Sequence, residues 1–515
     1  MERELWLLWA TLAVSLLCYL TNLLRSRPGS ARRPPGPWPL PVIGNILDLR
    51  GNQVHQKLAC LARVHGPVMR LKLGLTTAVV VSSRDAAREA FTRHGRRLAA
   101  RPVPDAAQAF GFSERSMVWL PSSDPRWKNL RGVVATHVFS PRSLEAARGV
   151  RERKVRDMVR YLRARAGREV DLGDAIYGGV LNLTSSTFFS VDVVGFGGES
   201  VQGLRELVED IVELVAKPNV SDLFPFLRPL DLQGLRRHAT RKIGQVLRIM
   251  DGIIDRRLAE ASSSAGGDSL DALLELLSEG KISREHMSTI LVDLFVGGSD
   301  TTAITVEWAM ADLLRHPDTM DKVRAEIKGA LGGKEIVEEH DTANLPYLQA
   351  VVKEAMRLHP VAPILIPHMA AEDGVEIGGY AVSKGCTVLF NSWAIMRDPE
   401  TWERPHEFLP ERFLDKADKV GFRGKEFEFI PFGSGPRLCP GVPMAERVVP
   451  LILAWLVHAF EWRLPDGMSA EQVDVTEKFT TVNVMAVPLK AVPLVAISYL
   501  AQNSIVSETS QHSNF

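Results

Sequence analysis

Along this chain the apolar positions fall into three regimes. The first is an unbroken run: Leu5 to Leu24 carries no charge and is mostly Leu, Trp, Ala and Val. As a helix such a run reaches about 30 Å, the thickness of a bilayer's hydrocarbon core. Arg25, Arg27, Arg32 and Arg33 follow it, whereas Glu2 and Glu4 offset Arg3 in front. Positive residues stay on the cytosolic side, so the bulk of the chain is expected to face the cytosol. No small-residue cleavage site precedes the arginines, which favours an anchor over a cleaved signal peptide. Pro34-Pro35-Gly36-Pro37-Trp38-Pro39 then forms a stiff spacer. The predicted organisation is an anchor over 1–27, a basic and proline-rich hinge over 28–45, a catalytic domain over 46–502 and a disordered polar tail over 503–515.

The second regime is short and alternating. Val68–Leu73 and Ala78–Val81 read as a hairpin around Gly74-Leu75-Thr76, and Thr387–Phe390 as another strand. The third regime, helical spacing, covers most of the rest. Asp124-Pro125 has the form of an N-cap followed by Pro at the first helical position, opening a helix that carries Trp127 and Arg131. Ser283 caps a far longer pattern that runs to His316, where Pro317 stops it. That helix spans about 50 Å, enough to cross a whole domain. Asn344 to His359 reads as a further helix. The fold class is therefore mainly α with a minor β portion.

Composition narrows the function by exclusion. Lys+Arg less Asp+Glu is 62 − 61 = +1, which gives no sign of a nucleic-acid partner. The four cysteines, Cys18, Cys60, Cys386 and Cys439, form no CxxC pair, so neither a disulfide framework nor a zinc module is expected. The sequons at Asn182 and Asn219 would lie in the cytosol and go unused.

One segment stands apart: Phe432-Gly433-Ser434-Gly435-Pro436-Arg437-Leu438-Cys439-Pro440-Gly441. Glycines ahead of the cysteine allow a tight turn that aims backbone N–H groups at the sulfur. A helical pattern begins after Gly441, and a helix N-terminus favours thiolate over thiol. A thiolate ligand donates electron density to iron and favours O–O cleavage. Five specified residue types at this spacing arise by chance about once in several million positions.

This segment resembles the cysteine-ligand loop of the cytochromes P-450, and the resemblance extends from the apolar run to about Leu489. It is similar above all to the plant family that includes geraniol 8-hydroxylase and, within it, to the grass labdane-related diterpene hydroxylases. Arg63-Val64-His65-Gly66-Pro67-Val68 and Asp231-Leu232-Gln233-Gly234-Leu235-Arg236-Arg237 carry the closer likeness. The resemblance implies the cytochrome P-450 fold behind a single transmembrane helix and haem b (iron protoporphyrin IX) with Cys439 as axial ligand. It also implies O2 as co-substrate and electrons from NADPH through a separate reductase.

Other motifs take meaning beside that loop. Gly297-Gly298-Ser299-Asp300-Thr301-Thr302 lies inside the long helix, where each glycine costs about 1 kcal/mol relative to alanine. Missing side chains leave room for oxygen or water and let the helix widen, while Asp300 and Thr301 can pass protons to the oxygen before its O–O bond breaks. Glu354 and Arg357, three apart, share a helix face; the resemblance adds Arg412 as the third member of a buried structural triad. Trp127 and Arg131, four apart, also share a face, and they resemble the pair that holds a haem propionate. The resemblance extends haem contact to His368, Phe432 and Arg437.

The resemblance draws the substrate pocket from Phe110, Phe112, Met117, Leu294, Phe295, Gly298, Val361, Ala362, Leu365, Thr480 and Thr481. These residues are largely apolar, which suits a hydrocarbon oriented by shape. No GxGxxG follows a strand, so electrons must come from another protein, with Arg126 and Lys128 able to help dock an acidic partner. The expected activity is hydroxylation of a plant terpenoid, a labdane-related diterpene of phytoalexin-type metabolism, at the endoplasmic reticulum membrane. Oxidation of a monoterpenol or phenolic, or a haem carrier without turnover, are the alternatives.

Overall fold

The computed structural model describes residue 9 and residues 32–195, 199–260, 268–414 and 420–496. Trp9 apart, the expected membrane run lies outside the described residues, as does the polar tail. From Pro35 the chain lies along the domain rather than standing off as a free spacer. Arg70 N–H donates to the Pro35 carbonyl at 2.7 Å, and a Cβ on Gly36 would sit 2.0 Å from the Arg70 carbonyl oxygen. Only glycine allows that approach.

Helix α1 (Val54–His65) leads into strands β1 (Val68–Leu73) and β2 (Thr76–Val81). The two strands pair antiparallel in the register Val68↔Val81 to Leu73↔Thr76, with Gly74 at φ +58 in the turn. The second strand starts two residues earlier than the sequence pattern marks. Helix α2 (Pro125–Val133) begins as expected, the Asp124 side chain accepting from Arg126 N–H. Helices α3 (Leu172–Phe189), α4 (Glu199–Ala216) and α5 (Leu235–Glu260) precede α6 (Arg284–Arg315). Ser283 caps α6 by accepting from His286 N–H, and His316 ends it one residue short of the expected limit. Helix α7 is Pro346–Leu358, followed by β3 (His368–Met369), β4 (Thr387–Phe390), helix α8 (Val442–Ala459) and the β5 (Glu477–Phe479) and β6 (Asn483–Met485) hairpin. The main sheet runs β1-β2-β4-β3, with β2 and β4 parallel.

Helix α6 packs against α3, α4, α5, α7 and α8. It and α8 are long and apolar enough to span a bilayer, but their most apolar windows are 67% and 72% buried inside the protein. Both are core helices, apolar on most sides because other helices surround them. Trp308, Trp455, Phe189 and Phe295 are fully enclosed there; each such side chain stabilises the fold by about 2–3 kcal/mol. Asn182 and Asn219 are buried and hydrogen-bonded, so neither sequon is accessible.

Candidate active site

The Cys439 loop closes on itself. Cys439 N–H donates to the Phe432 carbonyl at 3.1 Å, and Gly433 and Gly435 adopt φ +75 and +68. L-residues with side chains rarely take that backbone conformation. Phe432 is wedged edge-on against Phe422. Gly441 is the N-cap of α8, and the N–H groups of Gly441 and Val442 face the sulfur. Burial pushes the thiol pKa up, and those N–H groups and the nearby Arg131 guanidinium oppose it only in part. Cys439 keeps some accessible surface although it lies deep among apolar groups, because it borders an internal space.

Around that space stand three guanidiniums. Arg131 donates to the Leu438 carbonyl at 2.9 Å. Arg437 donates to the carbonyls of Ala99 at 2.7 Å and Met117 at 3.0 Å, and lies over the Trp127 ring at 4.6 Å. Arg101, which the sequence reading passed over, donates to the carbonyls of Ile366 and Pro367 and keeps a buried Nε with no partner. Among the described residues these three show no carboxylate partner; their bonds go to backbone oxygen. Burial, with repulsion from Arg437, lowers Arg101 to about 9; burial, with repulsion from Arg131, lowers Arg437 to about 10. Buried positive charges that repel one another suit an anionic ligand. Haem, with its two carboxylates and a metal that takes thiolate, fits this donor set.

Trp127 is less available than expected, its Nε1–H being donated to the Met117 carbonyl at 3.1 Å. His368 is also committed: Nδ1 lies 2.9 Å from the Leu98 carbonyl, and burial, aided by Arg101, drops its pKa to about 3. A neutral imidazole donating from Nδ1 leaves only a lone pair on Nε2, with no proton for a carboxylate. Arg101, with a buried Nε lacking a partner, is the nearby group with a charge to offer. Its signal was a lone Arg in the apolar stretch Leu98 to Val103.

On α6, Gly297 and Thr301 are exposed while the turns on either side are buried, so open space adjoins the helix there. The helix passes Gly297-Gly298 unbroken, so the opening arises from absent side chains and not from a widened backbone. A Cβ on Gly297 would meet nothing, but on Gly298 it would lie 3.3 Å from Thr184, so Gly298 packs on α3. Thr301 donates its hydroxyl to the Gly297 carbonyl at 2.7 Å. Asp300 is buried on another face of α6, near Tyr177, Arg205 and Glu209. Burial, with repulsion from Glu209, pushes its carboxyl up to about 7 against the pull of Arg205.

Glu354 and Arg357 are wholly buried and paired at 2.7 and 2.9 Å, and Arg412 Nε reaches Glu354 at 3.0 Å. Arg357 also donates to the carbonyls of Met396, Pro405 and Glu407. The triad therefore ties α7 to residues 396–412 and does not touch the cysteine loop itself.

The expected pocket residues divide. Val361 and Ala362 are half-buried, and Leu365 lies close to Gly433. Thr481 donates to the Val212 carbonyl of α4 at 2.9 Å, and Thr480 is exposed in the β5–β6 turn. Phe112, Met117 and Leu294 are buried in the core. Phe110 turns outward, at φ +53, onto Gly244 of α5, and Phe295 packs towards Phe189 on α3. Neither lines the space. Asp293, also unmarked in the sequence reading, accepts from Ser116 hydroxyl at 2.8 Å and Met117 N–H at 3.0 Å, fastening the 110–117 segment to α6. Its signal was a single charge in the run Ile290 to Val296. Arg126 is bound to Asp124 at 2.6 Å, which leaves Lys128 as the freer cation.

The chain matches the family model described as Cytochrome P450 over residues 34–487. The chain belongs to the cytochrome P450 family. "Cytochrome P450 76M5" from rice is 65% identical, over 96% of this chain and 99% of the relative. "Ent-cassadiene C11-alpha-hydroxylase 1", also from rice, is 59% identical over 96% and 99%. Among solved structures, a zebra fish cytochrome P450 with abiraterone superposes with TM-score 0.72 at 27% identity, over 86% of this chain and 99% of that one. As a member of the P450 family the protein is a haem-thiolate monooxygenase that uses O2, a small substrate and electrons from a redox partner.

Proposed function

We propose that this P450 hydroxylates a labdane-related diterpene hydrocarbon of plant specialised metabolism. The observation that carries the reading is the likeness to a relative named as an ent-cassadiene hydroxylase, which extends over nearly the whole of both chains. The half-buried wall at Val361 and Ala362 brings no charge, so selection by shape is the chemistry available to it.

Bound haem supplies the redox centre at which one atom of O2 enters the substrate and the other leaves as water, with two electrons and two protons consumed. The chain's share is binding and proton handling. Cys439 would hold the iron through its sulfur, supported by the N–H groups of Gly441 and Val442. Arg101, Arg131 and Arg437 would neutralise the haem carboxylates, and Trp127 and Phe432 would wall the site. Thr301 presents a hydroxyl beside the open strip of α6, and Asp300, with a pKa of about 7, can take up and release protons at cytosolic pH. Glu354, Arg357 and Arg412 hold the segment leading to the loop.

The electron donor in this reading is NADPH–cytochrome reductase, and the protein sits on the endoplasmic reticulum membrane through residues 1–27. Exposed apolar side chains support the membrane face: Trp38 and Val42, Leu75 in the β1–β2 turn, and Phe226, Leu230 and Leu232. Their segments are joined, since Gly74 N–H donates to Ile43 and Leu75 N–H to Leu223. Residues 28–45 then bridge membrane and domain, and 46–502 form the catalytic unit. Co-expression with a reductase and a panel of diterpene synthases tests the reading. A hydroxylated diterpene is expected; conversion of a monoterpenol or phenolic alone would replace it.

A further inference from the structure

Behind the pocket walls lies a buried charged cluster that the proposed chemistry does not use. Its centre is Glu477, at the head of β5, with a side chain only 7% exposed. One carboxylate oxygen lies 3.0 Å from His55 Nε2 and accepts from Gln56 Nε2 at 3.1 Å, both on α1. The other accepts from Asn483 Nδ2 of β6 at 2.9 Å and lies 3.6 Å from Arg397 and 3.8 Å from His359. His359 in turn faces Asp312 of α6 at 3.4 Å and stacks flat on Trp308, ring centroids 4.0 Å apart. Arg397 reaches back to the Arg357 carbonyl at 3.4 Å and covers Trp393. Burial opposes ionisation of Glu477, yet His359, His55 and Arg397 outweigh it and hold the carboxyl well below its usual range.

Two pocket walls leave from this cluster. His359 is the C-cap of α7, and the chain beyond it is the wall 361–366. Glu477 and Asn483 sit in the two strands of the hairpin whose turn holds Thr480 and Thr481. The walls are also joined directly, Asn483 N–H donating to the Val361 carbonyl at 2.9 Å, while Trp308 Nε1–H donates to the Asn483 carbonyl at 2.9 Å. Thr481 carries the turn onto α4 at Val212. A pocket that selects by shape depends on where such walls stand, because misplacing a contact by a fraction of an ångström alters which carbon is presented.

We propose that Glu477 is a positioning residue that sets the 361–366 wall against the Thr480–Thr481 turn, and so governs which position of the substrate is oxidised. The inference rests on reading these two segments as substrate walls. Glu477→Gln keeps the volume but removes the charge that His359 and Arg397 face, and turns one of the two acceptor oxygens into a donor.

Hydrogen–deuterium exchange on the haem-loaded full chain is the test. In Glu477→Gln, peptides covering 359–366 and 478–485 are expected to exchange about tenfold faster than wild type, with α6 and α8 unchanged. Product ratios are expected to shift about threefold or more at unaltered carbon monoxide absorbance. Gln56→Ala, at the outer edge of the cluster, gives the same pattern more weakly and decides the matter if the glutamine variant fails to fold. Arg151→Gln breaks a remote buried pair with Glu339 and serves as the merely destabilised control. Exchange that stays at wild-type rates in either wall, or that rises evenly along the chain as in the control, overturns the proposal. If wild type oxidised no diterpene, the substrate reading would fall, and the exchange result would still judge Glu477.

Discussion

The two sides of the site are assembled in opposite ways. On the Cys439 side the sulfur, its N–H partners and the glycines that turn the loop all come from residues 432–442, and the loop is closed by its own backbone bond from Cys439 to Phe432. On the Thr301 side the groups come from α6, the 361–366 segment and the β5–β6 turn, which are tied together by buried polar residues such as Glu477 and Asn483. A short closed loop has few ways to move, so the chemistry it serves is insulated from change elsewhere. A space bounded by distant segments shifts whenever one anchor changes. Reaction type is thus guarded locally, and substrate choice is left adjustable.

The strongest way to break the comparison is Cys439→Ala. Turnover should fall at least about 1,000-fold and the thiolate signature of the reduced, carbon monoxide-treated protein should vanish; normal oxygen incorporation would refute the assignment. Next comes Arg357→Ala, which strands the Glu354 carboxylate without its bidentate partner and should cost about 3–5 kcal/mol in unfolding experiments, with haem lost on both sides' account. Arg101→Gln should quicken haem release about tenfold in a transfer assay, with little change in the fold, because it removes one of three buried charges that would face the haem carboxylates in the proposed site. Thr301→Ala should lower product formed per NADPH about tenfold and raise peroxide release, leaving the carbon monoxide spectrum intact. Coupling equal to wild type would remove the hydroxyl from proton delivery.

The smallest effect concerns Asp293, whose carboxyl burial pushes up to about 7 despite its bonds from Ser116 and Met117. Between an ordinary carboxylate pKa of about 4 and this value, the folded protein keeps a proton that the unfolded chain has lost. This group's contribution is therefore full at low pH and is lost as pH rises towards 7. Relative to wild type, Asp293→Asn should gain on the order of 1 kcal/mol per pH unit between about pH 5 and about pH 7, read from thermal midpoints. A difference independent of pH would show that Asp293 is ionised throughout. Asp300 and Glu307, raised to about 7 as well, titrate in both proteins, so the comparison isolates Asp293.

Reading the sequence succeeded where the signal was local. The Asp124 and Ser283 caps, the β1–β2 hairpin and α6 stand almost where periodicity and capping put them. The cysteine loop and the Glu354–Arg357 pair were equally legible, since each needs only neighbours within a turn or two. What escaped was direction. Phe110, Phe295 and Gly298 are near the site in sequence terms, yet they face α5 or α3. Arg101, Asp293 and Glu477 looked like isolated charges, and their partners lie far away along the chain.

From sequence alone came the helical character of the domain, the cysteine loop and the Glu354–Arg357 pair, because periodicity, glycine conformation and residue spacing act over a few residues. Tertiary structure alone decided which side chains border the internal space and which charges are buried without a carboxylate partner. Burial and long-range pairing depend on how separate helices pack, and no short stretch of sequence contains that information.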